Sequence, residues 1–145
     1  MTTEYVVMNE ETPDLSAIRR AGRIIKEGGL VAFPTETVYG LGGDALNPES
    51  SRKIYEAKGR PSDNPLIVHI CRMEDMERVA ACVPRQARLL AEAFWPGPLT
   101  MVFKKSPKVP DVTTGGLDTV AVRMPSNPTA RRLIKLAGRP IAAPS

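Results

Sequence analysis

The segment 58–64, which reads Lys-Gly-Arg-Pro-Ser-Asp-Asn, places two cations and an amide just after a predicted helix. Prolines at positions 61 and 65 restrict the backbone, so that the Arg60 guanidinium and the Asn64 amide are held in an arrangement that suits phosphate oxygens. Lys58 alone has a structural explanation, because a cation at a helix C-terminus is stabilised by about 0.3 to 1 kcal/mol. That explanation does not cover Arg60 and Asn64, so the segment predicts an anion-binding site.

Hydroxyl groups follow the predicted strand 30–33, at Thr35, Thr37 and Tyr39. Their alternation would direct these side chains into one crevice at the carboxyl end of the strand, and the glycines at 40, 42 and 43 would let a ligand or another backbone approach closely. The same hydroxyls could instead cap turns. Because the run lacks the GxxxxGK[ST] pattern, a nucleotide would be held mainly by side chains.

Two further polar residues, His69 and Arg123, belong to apolar predicted strands. His69 could be a base, a ligand contact or a buried core histidine, and a lone histidine in such a strand is more often the last. Arg123 shares one strand face with Thr119 and Ala121, and its guanidinium requires an anion or water there. Paired carboxylates at a recognisable spacing are not evident, which favours chemistry based on positioning and positive charge.

Hydrophobic spacing, caps and prolines predict a mixed α/β domain. Apolar residues follow helical spacing from 15 to 25, and Asn47-Pro48 and Asn127-Pro128 each combine an N-cap with a proline at the first helical position. The predicted helices cover 14–27, 48–58, 74–94 with an interruption near Pro84, and 128–137. The predicted strands cover 30–33, 66–71, 99–103, 119–124 and 140–143.

Length and composition favour one soluble domain of 145 residues. No apolar run approaches the roughly 20 residues of a membrane helix, and the acidic N-terminus lacks the pattern of a signal peptide. Cys71 and Cys82 lack CxxC spacing and His69 is the single histidine, so neither a disulfide framework nor a zinc site is supported, and we expect a reducing, cytoplasmic location. From residue 104 onward, eight Lys or Arg stand against two Asp. Such a surface would attract nucleic acid or a polyanionic small molecule, or is simply a solvated helix face.

Four motifs occur in one order: VAFPTETVYGLG at 31–42, AKGRPSDNPL at 57–66, WPGPLT at 95–100 and LDTVAVRMP at 117–125. Together they resemble the YrdC-like domain of threonylcarbamoyl-AMP synthases, from the first helix to Ser145. The resemblance implies a single YrdC-like α/β domain over residues 1–145, with a twisted mixed parallel/antiparallel sheet flanked by helices.

The resemblance also implies an activity, the condensation of L-threonine, bicarbonate or CO2 and ATP into threonylcarbamoyl-AMP and pyrophosphate for t6A37 modification of tRNA. ATP would enter as a substrate carrying Mg2+, with no tightly bound metal. The product would pass to a threonylcarbamoyl transferase complex, and double-stranded RNA or tRNA would be a further partner. By motif match, the catalytic residues would be Lys58 and Arg60. The ATP contacts would be Lys58, Arg60, Ser62, Asn64, Thr119 and Ser145. The threonine contacts would be Thr35, His69, Arg123 and Ala143, with Tyr39 a weaker candidate.

The sequence departs from the family pattern at Pro144-Ser145, where family members continue with Ala-Asn, completing a Ser-x-Asn motif, and with further residues that close the domain. We therefore expect a domain that is incomplete at its C-terminus. Two alternatives stay open. One is the carbamoyl-adenylate-forming domain of hydrogenase maturation proteins, which lies beside acylphosphatase and zinc-finger segments. The other is a double-stranded RNA-binding module of the same fold that uses the basic C-terminal third.

Overall fold

A computed structural model describes residues 2–9, 11–59 and 61–144. These residues form one six-stranded sheet with helices on both faces. The helices are α1 (Leu15–Lys26), α2 (Pro48–Lys58), α3 (Met76–Val79), α4 (Arg85–Phe94) and α5 (Pro128–Ala137), with a 3₁₀ helix at Met73–Asp75. The strands are β1 (Val31–Phe33), β2 (Gly40–Asp44), β3 (Ile67–His69), β4 (Thr100–Lys104), β5 (Thr119–Arg123) and β6 (Ile141–Ala143).

The strand order is β1-β2-β6-β3-β5-β4, and the sheet is mixed. β3 and β5 are parallel, whereas the other neighbouring pairs are antiparallel. The expected mixed sheet flanked by helices is therefore confirmed. In the parallel pair, the carboxyl ends lie at the same edge, so that His69 is the register partner of Arg123.

Local signals set the ends of α2 and α5, as predicted. The side chains of Asn47 and Asn127 accept hydrogen bonds from backbone N–H groups in the first turns, and a proline follows each cap. Gly59 and Gly138 end the two helices in the left-handed conformation, with φ of 62° and 66°. These ends require no tertiary contact, which is why the sequence predicts them within a residue.

The strand β2 was not predicted, because its glycines favour a turn or a point of close approach. The structure uses them as strand residues beneath large side chains. A Cβ at Gly42 would lie 2.6 Å from Phe33 Cε1 and 2.5 Å from Ile141 Cγ2. Glycine thus makes room for two core side chains, and this packing outweighs its low strand propensity.

The helices cover most of one face of the sheet and only half of the other. α2, α3 and α4 pack against the face that includes Val68 and Val122, both fully buried. α1 and α5 cover the opposite face over β1, β2 and β6. Over β3, β5 and β4 no helix covers this opposite face: Ala121 and Arg123 are partly exposed, and Val102 is 66% exposed. We call this surface the open half-sheet.

The WPGP motif has a structural role beside the open half-sheet. Trp95 Nε1 donates to the carbonyl of Leu99 at 2.8 Å, and Gly97 N donates to the carbonyl of Met124 at 2.8 Å. The loop therefore holds the segment that directly follows Arg123.

Candidate active site

The predicted anion segment begins at the end of α2 and continues as an exposed turn. The backbone N–H of Asn64 donates to the carbonyl of Pro61 at 3.2 Å. The side chains of Lys58, Ser62 and Asn64 are exposed, and none of them bonds another group within the described residues. Their polar atoms are available to a ligand. Arg60 lies outside the described residues, so its role stays a prediction.

A second loop, 110–117, supports this turn, and the sequence did not predict this contact. The carbonyl of Thr113 accepts from Leu66 N at 3.1 Å, and the Thr113 hydroxyl lies 2.7 Å from that of Ser51 in α2. Gly115 has φ +61°, and a Cβ there would lie 2.8 Å from the carbonyl oxygen of Asp63. Only glycine allows this backbone to lie so close to the turn, so the two loops position each other.

The open half-sheet carries predicted contacts at both of its ends. Thr119 and Arg123 lie on the same face of β5, four residues or about 13 Å apart. His69 pairs with Arg123 across the parallel strands, and Ile67 pairs with Ala121 midway along. The surface therefore has a Thr119 end and an Arg123 end.

The anion segment lies at the Thr119 end. It runs into the start of β3, and Thr119 is the first residue of β5. Because β3 and β5 are parallel, their starts meet at the same edge of the sheet. The exposed groups of Lys58, Ser62 and Asn64 and the start of β5 therefore belong to one region.

Arg123 has an anion partner within the chain, in agreement with the expectation of an anion or water at this position. Its Nη2 donates to Glu36 Oε1 at 2.7 Å and to the Thr37 hydroxyl at 3.2 Å, while Glu36 Oε2 accepts from Ser126 N at 3.2 Å. The side chains of Arg123 and Glu36 are 12% and 19% exposed. The Nε of Arg123 is buried and has no hydrogen-bond partner among the described residues. Sequence reasoning missed Glu36, because 87 residues separate the pair and no local spacing links them.

Two influences act on the Glu36 carboxyl in opposite directions. Burial alone raises its pKa, but the hydrogen bond and positive charge of Arg123, together with backbone N–H donors, outweigh burial and bring the pKa below the ordinary value of 4.5. Glu36 is therefore ionised at neutral pH and meets Arg123 as a carboxylate.

His69 is a buried histidine, 4% exposed, at the Arg123 end. Its Nδ1 lies 3.1 Å and 3.2 Å from the carbonyl oxygens of Ile67 and Ile141. Two carbonyl partners assign the ring proton to Nδ1 and leave the lone pair on Nε2. The ring also meets Phe33 edge to face at 5.7 Å. Burial, together with the nearby charge of Arg123, lowers the pKa of His69 to about 4, so the ring is neutral at physiological pH.

This burial predicts a pH-dependent stability. The unfolded chain binds a proton at His69 below about pH 6.5, whereas the folded chain binds it only near pH 4, so the free energy of unfolding falls as the pH falls between these values. We expect a loss of about 2 kcal/mol between pH 7.5 and pH 5. Urea unfolding of the protein and of His69→Asn at both pH values measures the difference. An equal pH dependence in the two proteins would contradict the assignment.

The loop 34–39 connects the antiparallel strands β1 and β2. The segment that was predicted to line a crevice is therefore a hairpin loop. The Thr35 hydroxyl donates to the carbonyl of Val38 at 2.6 Å, and it lies 3.1 Å from the Thr37 hydroxyl. Tyr39, in contrast, is 75% exposed. The two threonine hydroxyls thus meet each other within the turn, which agrees with the turn-capping alternative, and Tyr39 does not join them.

The last two predicted contacts belong to the end of β6. Ala143 is the antiparallel register partner of Ile67 and is 1% exposed, within the cluster formed by α1, α5 and Phe33. Its side chain is part of the core. Ser145 lies outside the described residues, and its ATP contact stays a prediction.

The helices in the described part of the chain are all too short or too polar to cross a membrane. No group of three or more His, Cys, Asp or Glu side chains in that part is placed to hold a metal ion.

Comparison with known proteins agrees with the motifs. A family model for Sua5, YciO and YrdC, described as telomere recombination, matches residues 23–145. A threonylcarbamoyl-AMP synthase of Pyrococcus abyssi is 61% identical over 128 residues, which cover 88% of this chain and 38% of that protein. One of Halorhodospira halophila is 35% identical over 140 residues, which cover 95% and 73%. The crystal structure of P. abyssi Sua5 complexed with L-threonine matches with a TM-score of 0.90 and 58% identity, covering 92% of this chain and 39% of that one.

The chain spans well under half the length of its Pyrococcus relative and about three quarters of the Halorhodospira protein. The family model nevertheless covers most of the chain, including all six strands and the candidate site. On this basis the chain belongs to the Sua5/YciO/YrdC family.

Proposed function

We propose that the protein forms threonylcarbamoyl-AMP from L-threonine, bicarbonate or CO2 and ATP, with release of pyrophosphate, for t6A37 modification of tRNA. The observation that carries this proposal is the open half-sheet together with the anion segment: exposed cationic and amide groups stand at the edge of the sheet where β3 and β5 begin, and a guanidinium lies at the Arg123 end. The two ends are about 13 Å apart, which lets a nucleotide and an amino acid lie end to end on one surface. The names of the relatives support the same function.

At the Arg123 end, the guanidinium would bind the carboxylate of threonine through two parallel hydrogen bonds. The lone pair on His69 Nε2 can accept a hydrogen bond from the substrate, and the Thr35 hydroxyl is a second candidate polar contact. Ala143 would contribute only through its backbone or by packing beneath the threonine site, because its side chain is buried.

At the Thr119 end, Lys58, Ser62 and Asn64 would face the phosphates of ATP. Arg60, Thr119 and Ser145 would complete the nucleotide site. Mg2+ would arrive on the phosphates as part of the substrate, held largely by them.

The chemistry follows from this placement. The amine of threonine adds to CO2 and forms a carbamate, whose oxygen attacks the α-phosphorus of ATP; the new O–P bond forms as the bond to pyrophosphate breaks. Negative charge grows on the phosphoryl oxygens and on the departing pyrophosphate. Cations fixed by Lys58 and Arg60 would stabilise that charge in the transition state.

The activity also implies where the product goes. A mixed anhydride of a carbamate and AMP is an activated acyl donor, so we infer that a threonylcarbamoyl transferase consumes it and that tRNA is the final acceptor. We infer a cytoplasmic location, since that is where tRNA is modified in this scheme.

Pyrophosphate release by the full-length protein tests the proposed function. Release should require L-threonine, bicarbonate and ATP together, and mass spectrometry should detect threonylcarbamoyl-AMP. L-Valine, nearly isosteric but without the hydroxyl, should react much more slowly, because a buried polar partner would be left unpaired. Pyrophosphate release that does not depend on L-threonine would contradict the proposed function.

A second candidate function, RNA binding, is favoured by a basic cavity of about 500 Å³ beside α5. The cavity is lined by Cys71, Arg72, Ser126, Pro128, Arg131, Arg132 and Lys135. Arg72 pairs with Asp75 at 3.4 Å, but the other three cations have no acidic partner within the described residues. Unpaired cations on one surface favour contact with a phosphate backbone.

Replacing Arg131, Arg132 and Lys135 together with alanine is expected to weaken binding to double-stranded RNA and to lower the salt dependence. The slope of log K against log salt should fall by about 2 to 3, because each lost phosphate contact lowers it by nearly one. Fluorescence anisotropy over a salt series measures this slope. The control replaces Arg19, Arg23 and Lys26 on α1, which removes the same charge elsewhere; an equal fall in both variants would contradict a site at α5.

A further inference from the structure

The contact between Glu36 and Arg123 gives the open half-sheet a carboxylate of its own. The loop between β1 and β2 presents to Arg123 Nη2 a carboxylate oxygen at 2.7 Å and the Thr37 hydroxyl at 3.2 Å. A carboxylate and a hydroxyl are also the groups that L-threonine carries besides its amine. The loop therefore places substrate-like groups on the residue that would receive the substrate.

This contact covers Arg123 against an incoming carboxylate. The Arg123 side chain is only 12% exposed, and its Nε is buried without a partner among the described residues. A bidentate carboxylate needs two N–H groups of the guanidinium at once, and Nη2 is already engaged by Glu36 and Thr37. An amino acid can form both bonds only after Glu36 has moved, and it would then satisfy the Nε that Glu36 leaves unpaired.

Charge opposes simultaneous binding of both carboxylates. Glu36 is ionised at neutral pH, since Arg123 outweighs the effect of burial and lowers its pKa. His69 beside it is neutral and contributes no compensating positive charge. Two carboxylates on one guanidinium would leave a net negative charge at a largely covered position, which their mutual repulsion disfavours.

The loop tip can move as a unit. The Thr35 hydroxyl donates to the carbonyl of Val38 at 2.6 Å and accepts from Thr37 N at 3.2 Å, so the turn is bonded internally. Among the described residues, the hydrogen bonds from its side chains to the rest of the chain are those of Glu36 and Thr37. Release of these contacts would free the tip without breaking a strand.

We propose that Glu36 is an internal competitor for Arg123, so that L-threonine binds by displacing the Glu36 carboxylate and Glu36 lowers the affinity of the site for threonine. This role of Glu36 rests on the proposed function, in which Arg123 receives the amino acid's carboxylate. Glu36 then acts on specificity as well: a small carboxylate without the other polar groups of threonine gains too little from the site to displace it.

The test compares Glu36→Gln with Glu4→Gln, which breaks the matched but exposed pair of Glu4 with Arg20 at 2.9 Å. Glutamine keeps the size of the side chain but offers Arg123 only a neutral acceptor. Glu36→Gln is expected to lower both the KM and the calorimetric Kd for L-threonine about tenfold, since a charged hydrogen bond is roughly twice as strong as a neutral one. The KM for ATP should not change, and Glu4→Gln should leave every value unchanged.

A second measurement reports on Arg123 without turnover. Phenylglyoxal modifies accessible guanidinium groups, and mass spectrometry of the peptides gives the rate at each arginine. Arg123 should react more slowly than Arg20 in the unmodified protein, faster in Glu36→Gln, and should be protected by L-threonine there.

An unchanged or raised KM for L-threonine in Glu36→Gln would overturn the proposed role, as would labelling of Arg123 that is as fast as that of Arg20 in the unmodified protein. Failure of the proposed function is a separate result. It would appear as an absence of threonine-dependent turnover in the unmodified protein, and the labelling rates would still decide whether Glu36 covers Arg123.

Discussion

Lys58→Ala is expected to lower threonine- and bicarbonate-dependent pyrophosphate release about a thousandfold in kcat/KM, to the point of abolishing it in an ordinary assay. The ammonium group is exposed at the end of α2 and has no partner in the described chain, so it is available to a phosphoryl group. Without Lys58, the negative charge that develops on the phosphoryl oxygens in the transition state would no longer be stabilised by a fixed cation. The fold should lose only the dipole contribution of about 0.3 to 1 kcal/mol.

The matched control is Lys26→Ala, a lysine in the last turn of α1 that is also exposed. It removes the same charge and the same dipole contribution, but on a helix away from the anion segment. Urea unfolding should show similar small losses of stability in both variants, while only Lys58→Ala loses pyrophosphate release. Retained activity in Lys58→Ala, or an equal loss in both, would remove Lys58 from the nucleotide site.

Arg123→Met should raise the KM for L-threonine at least about thirtyfold, because removal of one partner of a covered, hydrogen-bonded charge pair costs about 2 to 5 kcal/mol. Methionine preserves much of the aliphatic part of the arginine side chain and removes the guanidinium group. Arg123→Lys keeps the charge but not the bidentate geometry, so its KM for L-threonine should lie between those of the unmodified protein and Arg123→Met. The KM for ATP should change little, since Thr119 and the anion segment lie at the other end of the open half-sheet.

Steady-state kinetics with each substrate varied in turn separates these effects. Arg20→Met serves as the control, because Arg20 also pairs with a glutamate, at 2.9 Å, but on the exposed surface of α1. An unchanged KM for L-threonine in Arg123→Met would place the amino acid's carboxylate elsewhere. An equal rise in the KM for both substrates would indicate a general structural effect.

The predictable part of the structure is the part that local chemistry decides. The Asn-Pro caps and terminal glycines of α2 and α5 satisfy the helix ends with neighbouring residues, so both helices appear where expected. Apolar runs likewise located β1, β3, β4, β5 and β6 to within a residue or two at most ends. The strand β2 was not predicted, because the packing that requires glycine there, against the side chains of Phe33 and Ile141, exists only in the folded domain.

The candidate site divides in the same way. Sequence reasoning selected Lys58, Ser62 and Asn64, which the structure leaves exposed, and the requirement of Arg123 for an anion. It did not find Glu36 as the partner of Arg123, nor the support that Thr113 and Gly115 give to the anion segment. Each of these partners is distant along the chain from the group it contacts.

The amino-acid sequence by itself determined the helices, the motifs and the residue types of an anion site, because capping, hydrophobic period and proline geometry act over a few residues. Only the tertiary structure decided that Thr119 and Arg123 lie on a part of the sheet that no helix covers, and that Glu36 reaches Arg123 across 87 residues. Those relations depend on strand order and on which face the helices cover. Such long-range pairing follows from the packing of the whole domain, which no local pattern encodes.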